Sequence, residues 1–307
     1  MPKRKIDTHQ HFLPKLYVDA VGLDLLNAAM PGGVAPTWSA EAAIAMMDEN
    51  DIDEGILSIS SGPTLPDAPK LLRQCNDLAA ELRSRHTGRF GSFASLPLPD
   101  IDASLKEVAY SLDELKVDGF IVFTNYNGMY LGDDHFTPLW EELNRRGTVV
   151  FVHPNQPPHD VPRVAPASVL EFPFDTTRTA TSLVMSGAMS RFPKLRFILS
   201  HAGGTLPFLV PRIALSISMM PEVSERVGDT LAAIRSFYFD TALSAGQSSL
   251  SALAQIADPD RILFGTDFPF APTRAIRQFG KVLDEIQIPG IEMDKIYGQN
   301  AAQLLGR

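Results

Sequence analysis

The chain has 307 residues, of which 45% are hydrophobic, and its formal net charge is −9. The length suits a single catalytic domain over residues 1–307, whereas the acidic balance and scattered basic residues argue against a nucleic-acid partner. No apolar run approaches the roughly 20 residues that a membrane span needs, so we expect no membrane partner and a cytoplasmic protein.

Eight short apolar segments alternate with segments that carry apolar residues at helical spacing. The predicted strands are residues 5–9, 55–60, 90–96, 119–124, 148–153, 196–201, 237–241 and 261–266. The predicted helices are residues 39–50, 68–86, 101–115, 137–146, 176–192, 206–219, 248–257 and 273–285, with a closing helix at 293–305. Parallel strands joined by helical crossovers close into a barrel when there are eight of them. The sequence therefore predicts an α/β protein with a (β/α)8 TIM barrel.

Three residues fit particular places on these helices. Ser39 and Asp100 each precede a helical pattern and are predicted N-caps. Cys75, the only cysteine, excludes an intrachain disulfide framework. Its leucine and alanine neighbours predict a buried helix face.

Two connections are too long to be plain barrel loops. Residues 12–38 follow the first strand and predict a small cap insertion with one helix near 18–30. Residues 154–175 follow the fifth strand and contain six prolines, which predicts a lid loop. Because both begin directly after a candidate metal ligand, we expect them to cover the site.

Four metal-capable clusters each end an apolar run. They are Asp7-Thr8-His9-Gln10-His11, Phe151-Val152-His153, Leu199-Ser200-His201 and Phe264-Gly265-Thr266-Asp267. The carboxyl ends of parallel barrel strands meet at one mouth, and alternate residues such as His9 and His11 face the same side. An acidic residue at the end of an apolar strand has a solvation cost that a cation can offset. The set predicts a divalent metal site at the barrel mouth.

These clusters resemble the amidohydrolase superfamily through residues 6–14, Phe151-Val152-His153-Pro154, Ser200-His201-Ala202-Gly203-Gly204 and Gly265-Thr266-Asp267-Phe268-Pro269. More narrowly, they are similar to its aminocarboxymuconate-semialdehyde decarboxylase-like branch, which includes 6-methylsalicylate and γ-resorcylate decarboxylases. The resemblance implies one divalent metal held by His9, His11, His153 and Asp267. It also implies that His201 lies beside the metal and handles a proton or a metal-bound water.

The absence of a lysine at the end of the fourth predicted strand limits the number of metal ions that we expect. Superfamily members with two metals generally use a carboxylated lysine at the end of the fourth strand, but residues 119–125 contain no lysine. We therefore expect one metal per chain. Imidazole and carboxylate ligands suit Zn²⁺, and Mn²⁺ is an open alternative.

His201 has two alternatives to an acid–base role. It could be a fifth metal ligand, or it could hold the site together through a hydrogen bond.

The predicted substrate contacts are Trp38 and Phe174, which are aromatic, and Asn125, which offers hydrogen bonds. Residues 12–38 contain no arginine, which disfavours a second acidic group on the substrate. Arg212 matches an arginine that in relatives reaches a neighbouring subunit's site. The resemblance thus implies a homodimer. For Arg212 itself, an equal alternative to substrate contact is that it braces the subunit interface or is solvated.

The predicted function is non-oxidative decarboxylation of a small aromatic carboxylic acid of the salicylate type. The carboxylate and ortho hydroxyl would bind the metal, and protonation of the ring by Asp267, or by His201 through water, would precede loss of CO2. The alternatives are a metal-dependent hydrolase of a lactone, amide or ester, and a silent metal-stabilised scaffold. Product analysis separates decarboxylation from hydrolysis, because hydrolysis conserves carbon whereas decarboxylation loses one carbon.

Overall fold

The computed structural model describes residues 4–30, 32–60, 68–158, 162 and 164–307. A sheet of eight strands runs through this part of the chain, and we number its strands in chain order. They are β1 (Ile6–His11), β2 (Glu54–Ser58), β3 (Phe90–Ser95), β4 (Gly119–Phe123), β5 (Val149–His153), β6 (Arg196–Leu199), β7 (Tyr238–Asp240) and β8 (Ile262–Leu263). Their largely apolar sequences are typical of strands buried on both faces.

Neighbouring strands pair in parallel and follow the order of the chain. Backbone hydrogen bonds join the segment that follows β8 to β1, so the sheet closes on itself. Thr8 N donates to Phe264 O at 2.9 Å, and Asp267 N donates to His9 O at 2.8 Å. The predicted (β/α)8 barrel is confirmed, and each predicted strand segment overlaps an observed strand.

Helices link the strands. They are Ala40–Glu49, Ala68–Arg85, Ile101–Tyr110, Thr137–Arg146, Glu171–Met185, Ala188–Arg191, Leu206–Ser218, Pro221–Val227, Thr230–Arg235, Gln247–Ala254, Thr273–Glu285 and Asn300–Leu305, with π-helical turns at Ser111–Leu115 and Lys295–Gln299. Pro221–Val227 and Thr230–Arg235 were not predicted, because helices of 7 and 6 residues are too short to show a period. Within the described residues, no lone helix is both long and apolar enough to span a membrane; Leu206–Ser218 with Pro221–Val227 meets that criterion only as a pair bent by 117°.

The segment after β1 contains two short helices, Lys15–Val21 and Leu23–Ala29, where one helix was predicted. They meet at Gly22, whose φ of 85° and ψ of 137° interrupt the helical path. Glycine adopts such a backbone without the steric penalty of a side chain. The prediction of a single helix was therefore wrong at this residue; position 31 of the predicted cap lies outside the described residues.

The predicted lid ends in a helix. Glu171–Met185 begins within residues 154–175, earlier than the predicted start at residue 176. Pro173 lies in its first turn, where the missing N–H costs no helical hydrogen bond. Residues 159–161 and 163 of the predicted lid lie outside the described residues.

Local predictions about three side chains are confirmed. The Ser39 side chain accepts a hydrogen bond from Ala42 N at 3.1 Å, and the Asp100 side chain accepts one from Ala103 N at 2.9 Å. Both therefore cap their helices. Cys75 is buried on Ala68–Arg85, and burial raises the pKa of its thiol to about 12, which leaves it an unreactive core residue.

Aromatic side chains fill the barrel beneath its mouth. The rings of Phe93 and Phe151, on β3 and β5, lie 5.7 Å apart. The Phe151 ring lies 4.9 Å from the ring of His9, and all three side chains are buried. The apolar core thus ends directly against the first histidine of β1, and the polar site begins there.

Candidate metal centre and active site

Three histidines and one aspartate converge at the carboxyl ends of the barrel strands. His9 and His11 lie on β1, His153 ends β5, and Asp267 follows β8. All four residues are buried, and one ligand atom from each lies within 4.8 Å of every other. Side chains alternate along a strand, which explains why His9 and His11 meet at one point.

The ligand atoms of the cluster lie close to one another. His9 Nε2 lies 3.0 Å from His11 Nε2, and Asp267 Oδ1 lies 3.5 Å and 3.3 Å from these two nitrogens. Asp267 Oδ1 is buried and has no hydrogen-bond partner among the described residues. A buried carboxylate oxygen without a donor is costly unless a cation takes the donor's place. Three imidazoles and one carboxylate therefore fit a divalent metal ion.

Burial and the neighbouring charges together determine the pKa values of these groups. Burial lowers the pKa of His11. Burial and the nearby charges of His11 and His9 hold the pKa of His153 well below its usual value. Burial opposes ionisation of Asp267, but the charge on His9 and the close contacts of the carboxylate with the His11 and His201 rings hold its pKa well below the ordinary value. Burial also lowers the pKa of His9, yet the nearby aspartates outweigh it and raise that pKa to about 10. Metal binding at His9 would therefore release a proton.

Asp240, at the end of β7, holds His9 in place and was missed by the sequence reasoning. Its Oδ2 lies 2.8 Å from His9 Nδ1, and both side chains are fully buried. Its Oδ1 accepts hydrogen bonds from His201 N at 3.0 Å and Ala242 N at 2.9 Å. A carboxylate on Nδ1 directs the other nitrogen of His9 into the cluster. The sequence contained a signal for Asp240, because this residue ends an apolar strand segment as Asp267 does.

The other two histidines are oriented in the same way. His153 Nδ1 donates to Pro154 O at 3.0 Å, and His11 Nδ1 lies 3.2 Å from Ser58 Oγ. Each contact occupies one ring nitrogen and leaves Nε2 for the cluster. The orientation is thus determined by residues on β2 and directly after β5.

His201 lies beside the four clustered residues, in a tight turn after β6. Its φ is 54°, and Ala202, Gly203 and Gly204 continue with positive φ. A Cβ on Gly204 would lie 2.0 Å from Pro173 O, so this turn packs against the Glu171–Met185 helix only with glycine there. His201 Nε2 lies 3.4 Å from Asp267 Oδ2. This places an imidazole next to the metal-binding carboxylate, within reach of a bound ligand.

A cavity of about 100 Å³ opens onto the cluster, with His153, His201 and Asp267 at its polar end. Its apolar wall consists of Leu26, Met30, Phe172, Leu243 and Phe270. Both long connections contribute, since Leu26 and Met30 belong to residues 12–38 and Phe172 to residues 154–175. Such a wall with a few polar groups suits a small planar ligand.

The four predicted substrate contacts lie elsewhere. Arg212 is exposed on Leu206–Ser218, and Phe174, 42% exposed, lines a separate groove beside His201. Trp38 packs against Phe12 with ring centroids 5.8 Å apart, and the Asn125 amide donates to Gln156 O and Asp175. None of the four lines the described cavity, so direct substrate contact by Arg212, Asn125, Phe174 or Trp38 stays a prediction.

A buried carboxylate supports the cavity wall from behind. Asp175 accepts hydrogen bonds from Thr124 Oγ1, from Asn125 Nδ2 at 2.8 Å and from Tyr130 OH at 2.8 Å. Thr124 Oγ1 in turn accepts a hydrogen bond from Asn155 N at 2.9 Å. Asp175 therefore ties the end of β4 and the loop after β5 to the Glu171–Met185 helix. It was not predicted, because these partners are far apart in the sequence.

Replacing Asp175 with alanine should lower the free energy of unfolding by about 3 kcal/mol or more, because several buried donors lose their acceptor. Denaturant unfolding measures this change. Asp77→Ala is the matched control, since within the described residues Asp77 accepts one hydrogen bond, from the partly buried Tyr110 OH at 2.9 Å. An equal loss of unfolding free energy in the two variants would show that Asp175 does not hold these segments together.

Comparison with known proteins gives the family. Residues 6–307 match the amidohydrolase family. The chain is 38% identical to the 6-methylsalicylic acid decarboxylase acuB of Aspergillus aculeatus, over 99% of this chain and 96% of that protein. A crystal structure described as amidohydrolase II superposes with a TM-score of 0.89 at 29% identity, covering 99% of this chain and 100% of that chain.

A third relative carries a metal. The crystal structure of a dihydroxybenzoic acid decarboxylase from Polaromonas sp. JS666, with bound manganese and 2-nitroresorcinol, superposes with a TM-score of 0.80. The two chains are 24% identical, with coverage of 99% and 97%, and this likeness shows a shared fold. The match over residues 6–307, together with the metal-binding geometry of the barrel mouth, shows that the chain belongs to the amidohydrolase family.

Proposed function

We propose that this protein is a metal-dependent, non-oxidative decarboxylase of a small aromatic carboxylic acid with an ortho hydroxyl. The observation that carries the proposal is the convergence of His9, His11, His153 and Asp267, with His201 beside them, at the polar end of a small apolar cavity. The relative from Aspergillus aculeatus, similar over nearly its whole length, acts on an acid of this class.

The metal part of the proposal is one divalent ion per chain, Zn²⁺ or Mn²⁺, held by His9, His11, His153 and Asp267. Manganese in the Polaromonas relative supports the second choice. When bound, the ion supplies Lewis-acid stabilisation of negative charge on the substrate. Asp240 acts through His9, whose Nε2 it directs into the cluster.

Proton delivery is assigned to the pair of His201 and Asp267. Their side chains lie 3.4 Å apart, and both line the cavity, so either can reach a bound ring directly or through water. The proton goes to the ring carbon that bears the carboxylate. The carbon–carbon bond then breaks, its electron pair restores the aromatic ring, and CO2 leaves. The apolar wall positions the ring during these steps.

The proposal includes a cytoplasmic homodimer. Leu206–Ser218 exposes Phe208, Leu215 and, directly after it, Met219, with Arg212 at helical spacing between them. An exposed apolar face of this kind is typical of a subunit interface. Arg212 is assigned to that interface, from which it would reach the neighbouring site.

Purified protein loaded with Zn²⁺ or Mn²⁺ should release CO2 from at least one member of a panel of 2-hydroxybenzoates and form the matching phenol in equal amount. Gas analysis and chromatography of the same reaction measure the two products. Protein stripped of metal by a chelator is the control and should be inactive. No CO2 from any member of the panel would overturn the proposal, and cleavage of a lactone, amide or ester would favour hydrolysis.

A further inference from the structure

Asp7 is a buried carboxylate on β1 that the proposed reaction does not use. It is not among the four residues whose ligand atoms converge. Its Oδ1 accepts hydrogen bonds from His9 N and Thr266 N, each at 3.0 Å, and its Oδ2 accepts one from Thr266 Oγ1 at 2.6 Å. Asp7 therefore joins the backbone of one metal-binding residue, His9, to the residue that directly precedes another, Asp267.

Thr266 extends this connection into the turn that contains Asp267. While its Oγ1 donates to Asp7, the same oxygen accepts a hydrogen bond from Phe268 N at 3.1 Å. Asp267, between them, has a φ of 64°, in the left-handed region that is unfavourable for a residue with a side chain. Its N donates to His9 O at 2.8 Å. Such a conformation persists only where the surrounding contacts hold it, and here they lie on both sides of Asp267.

The positions of the metal ligands depend on this turn. The backbone at Asp267 directs its carboxylate, whose Oδ1 lies 3.5 Å from His9 Nε2 and 3.3 Å from His11 Nε2. A shift of the turn would change both distances at once. Groups that orient metal ligands without binding the ion themselves commonly affect the affinity of the site. Asp7 and Thr266 are placed to act on metal binding in this indirect way.

We propose that Asp7 and Thr266 are positioning residues that set the affinity and the geometry of the metal site by fixing Asp267 relative to His9. This inference rests on the metal part of the proposed function. The alternative is that their contacts only close the barrel between β8 and β1. Thr8 makes a contact of that simpler kind, because its Oγ1 donates to Phe264 O at 2.9 Å.

Replacing Thr266 with valine removes the hydroxyl at nearly constant volume and should weaken Zn²⁺ affinity about 10–100-fold, as measured by titration of metal-stripped protein. The visible spectrum of the Co²⁺-loaded variant should also change, because it reports the arrangement of the ligand atoms. Thr266→Ser keeps the hydroxyl and should restore the wild-type affinity and spectrum. Thr8→Val is the matched control, since Thr8 is a buried threonine at the same strand junction, and it should leave both unchanged.

The outcomes separate this inference from the proposed function. Wild-type affinity in Thr266→Val, an equal loss in Thr8→Val, or no recovery in Thr266→Ser overturns the positioning role and leaves the metal site intact. A wild-type protein that binds no Zn²⁺ overturns the metal part of the proposed function, and the positioning role with it.

Asp7→Asn is the second variant if Thr266→Val does not fold. The asparagine oxygen can still accept from His9 N and Thr266 N, but its amide nitrogen then faces Thr266 Oγ1 and cannot accept the hydrogen bond of that hydroxyl. Zn²⁺ affinity should fall in this variant too, and an unchanged affinity overturns the positioning role.

Discussion

Replacing His201 with asparagine should lower kcat for decarboxylation about 10²–10⁴-fold while the protein still binds one metal ion. His201 is not among the four residues whose ligand atoms converge, and its contact with the site is the 3.4 Å approach to Asp267 Oδ2. The variant therefore removes the imidazole to which we assign proton delivery and leaves the four clustered residues in place. Steady-state kinetics and metal content on the same sample measure both effects.

His135→Asn is the control for that experiment, because His135 is exposed and its Nε2 donates to Pro99 O, away from the site. It should keep wild-type kinetics. A His201 variant that loses its metal would instead make His201 a fifth ligand. A His201 variant with unchanged kcat would remove it from proton delivery.

Replacing Asp240 with asparagine should weaken metal affinity about 10–100-fold. Asparagine can still accept the hydrogen bonds from His201 N and Ala242 N with its oxygen. Its amide nitrogen then faces His9 Nδ1, which must become an acceptor. The proton of the neutral imidazole moves to Nε2, the atom that would bind the metal. Titration of the stripped protein with Zn²⁺ or Mn²⁺ measures the affinity.

Asp118→Asn is the matched control for Asp240→Asn. Asp118 is a mostly buried carboxylate that precedes β4 at the opposite end of the barrel, where it accepts from Ser92 N and contacts Arg307. It should lower stability without changing metal affinity. If Asp240→Asn binds metal as tightly as the wild type, then Asp240 does not set the orientation of His9.

The metal cluster could be predicted because strand ends follow a simple rule. His9, His11, His153 and Asp267 each end an apolar run, and a parallel barrel brings such ends together whatever the helices between them do. Asp240 carries the same signal, but it was passed over because its role depends on a contact with His9, 231 positions away along the chain. Strand periodicity does not encode such a contact.

The cavity wall was harder to predict. Phe172 and Phe270 line it, whereas the predicted contact Phe174 lines a neighbouring groove and the predicted contact Asn125 binds Asp175. These positions depend on how the Glu171–Met185 helix docks on the barrel, and Gly204 and Asp175 control that docking through long-range contacts. The sequence pattern gives proximity to a strand end but not the direction of a side chain on a connecting segment.

The most direct test of the metal site is a crystal structure of metal-loaded protein with a 2-hydroxybenzoate analogue, in which anomalous scattering locates the ion. The ion is expected about 2.0–2.2 Å from ligand atoms of His9, His11, His153 and Asp267, with the analogue's carboxylate and hydroxyl facing it. An ion bound elsewhere, or an analogue bound away from these residues, would contradict the account.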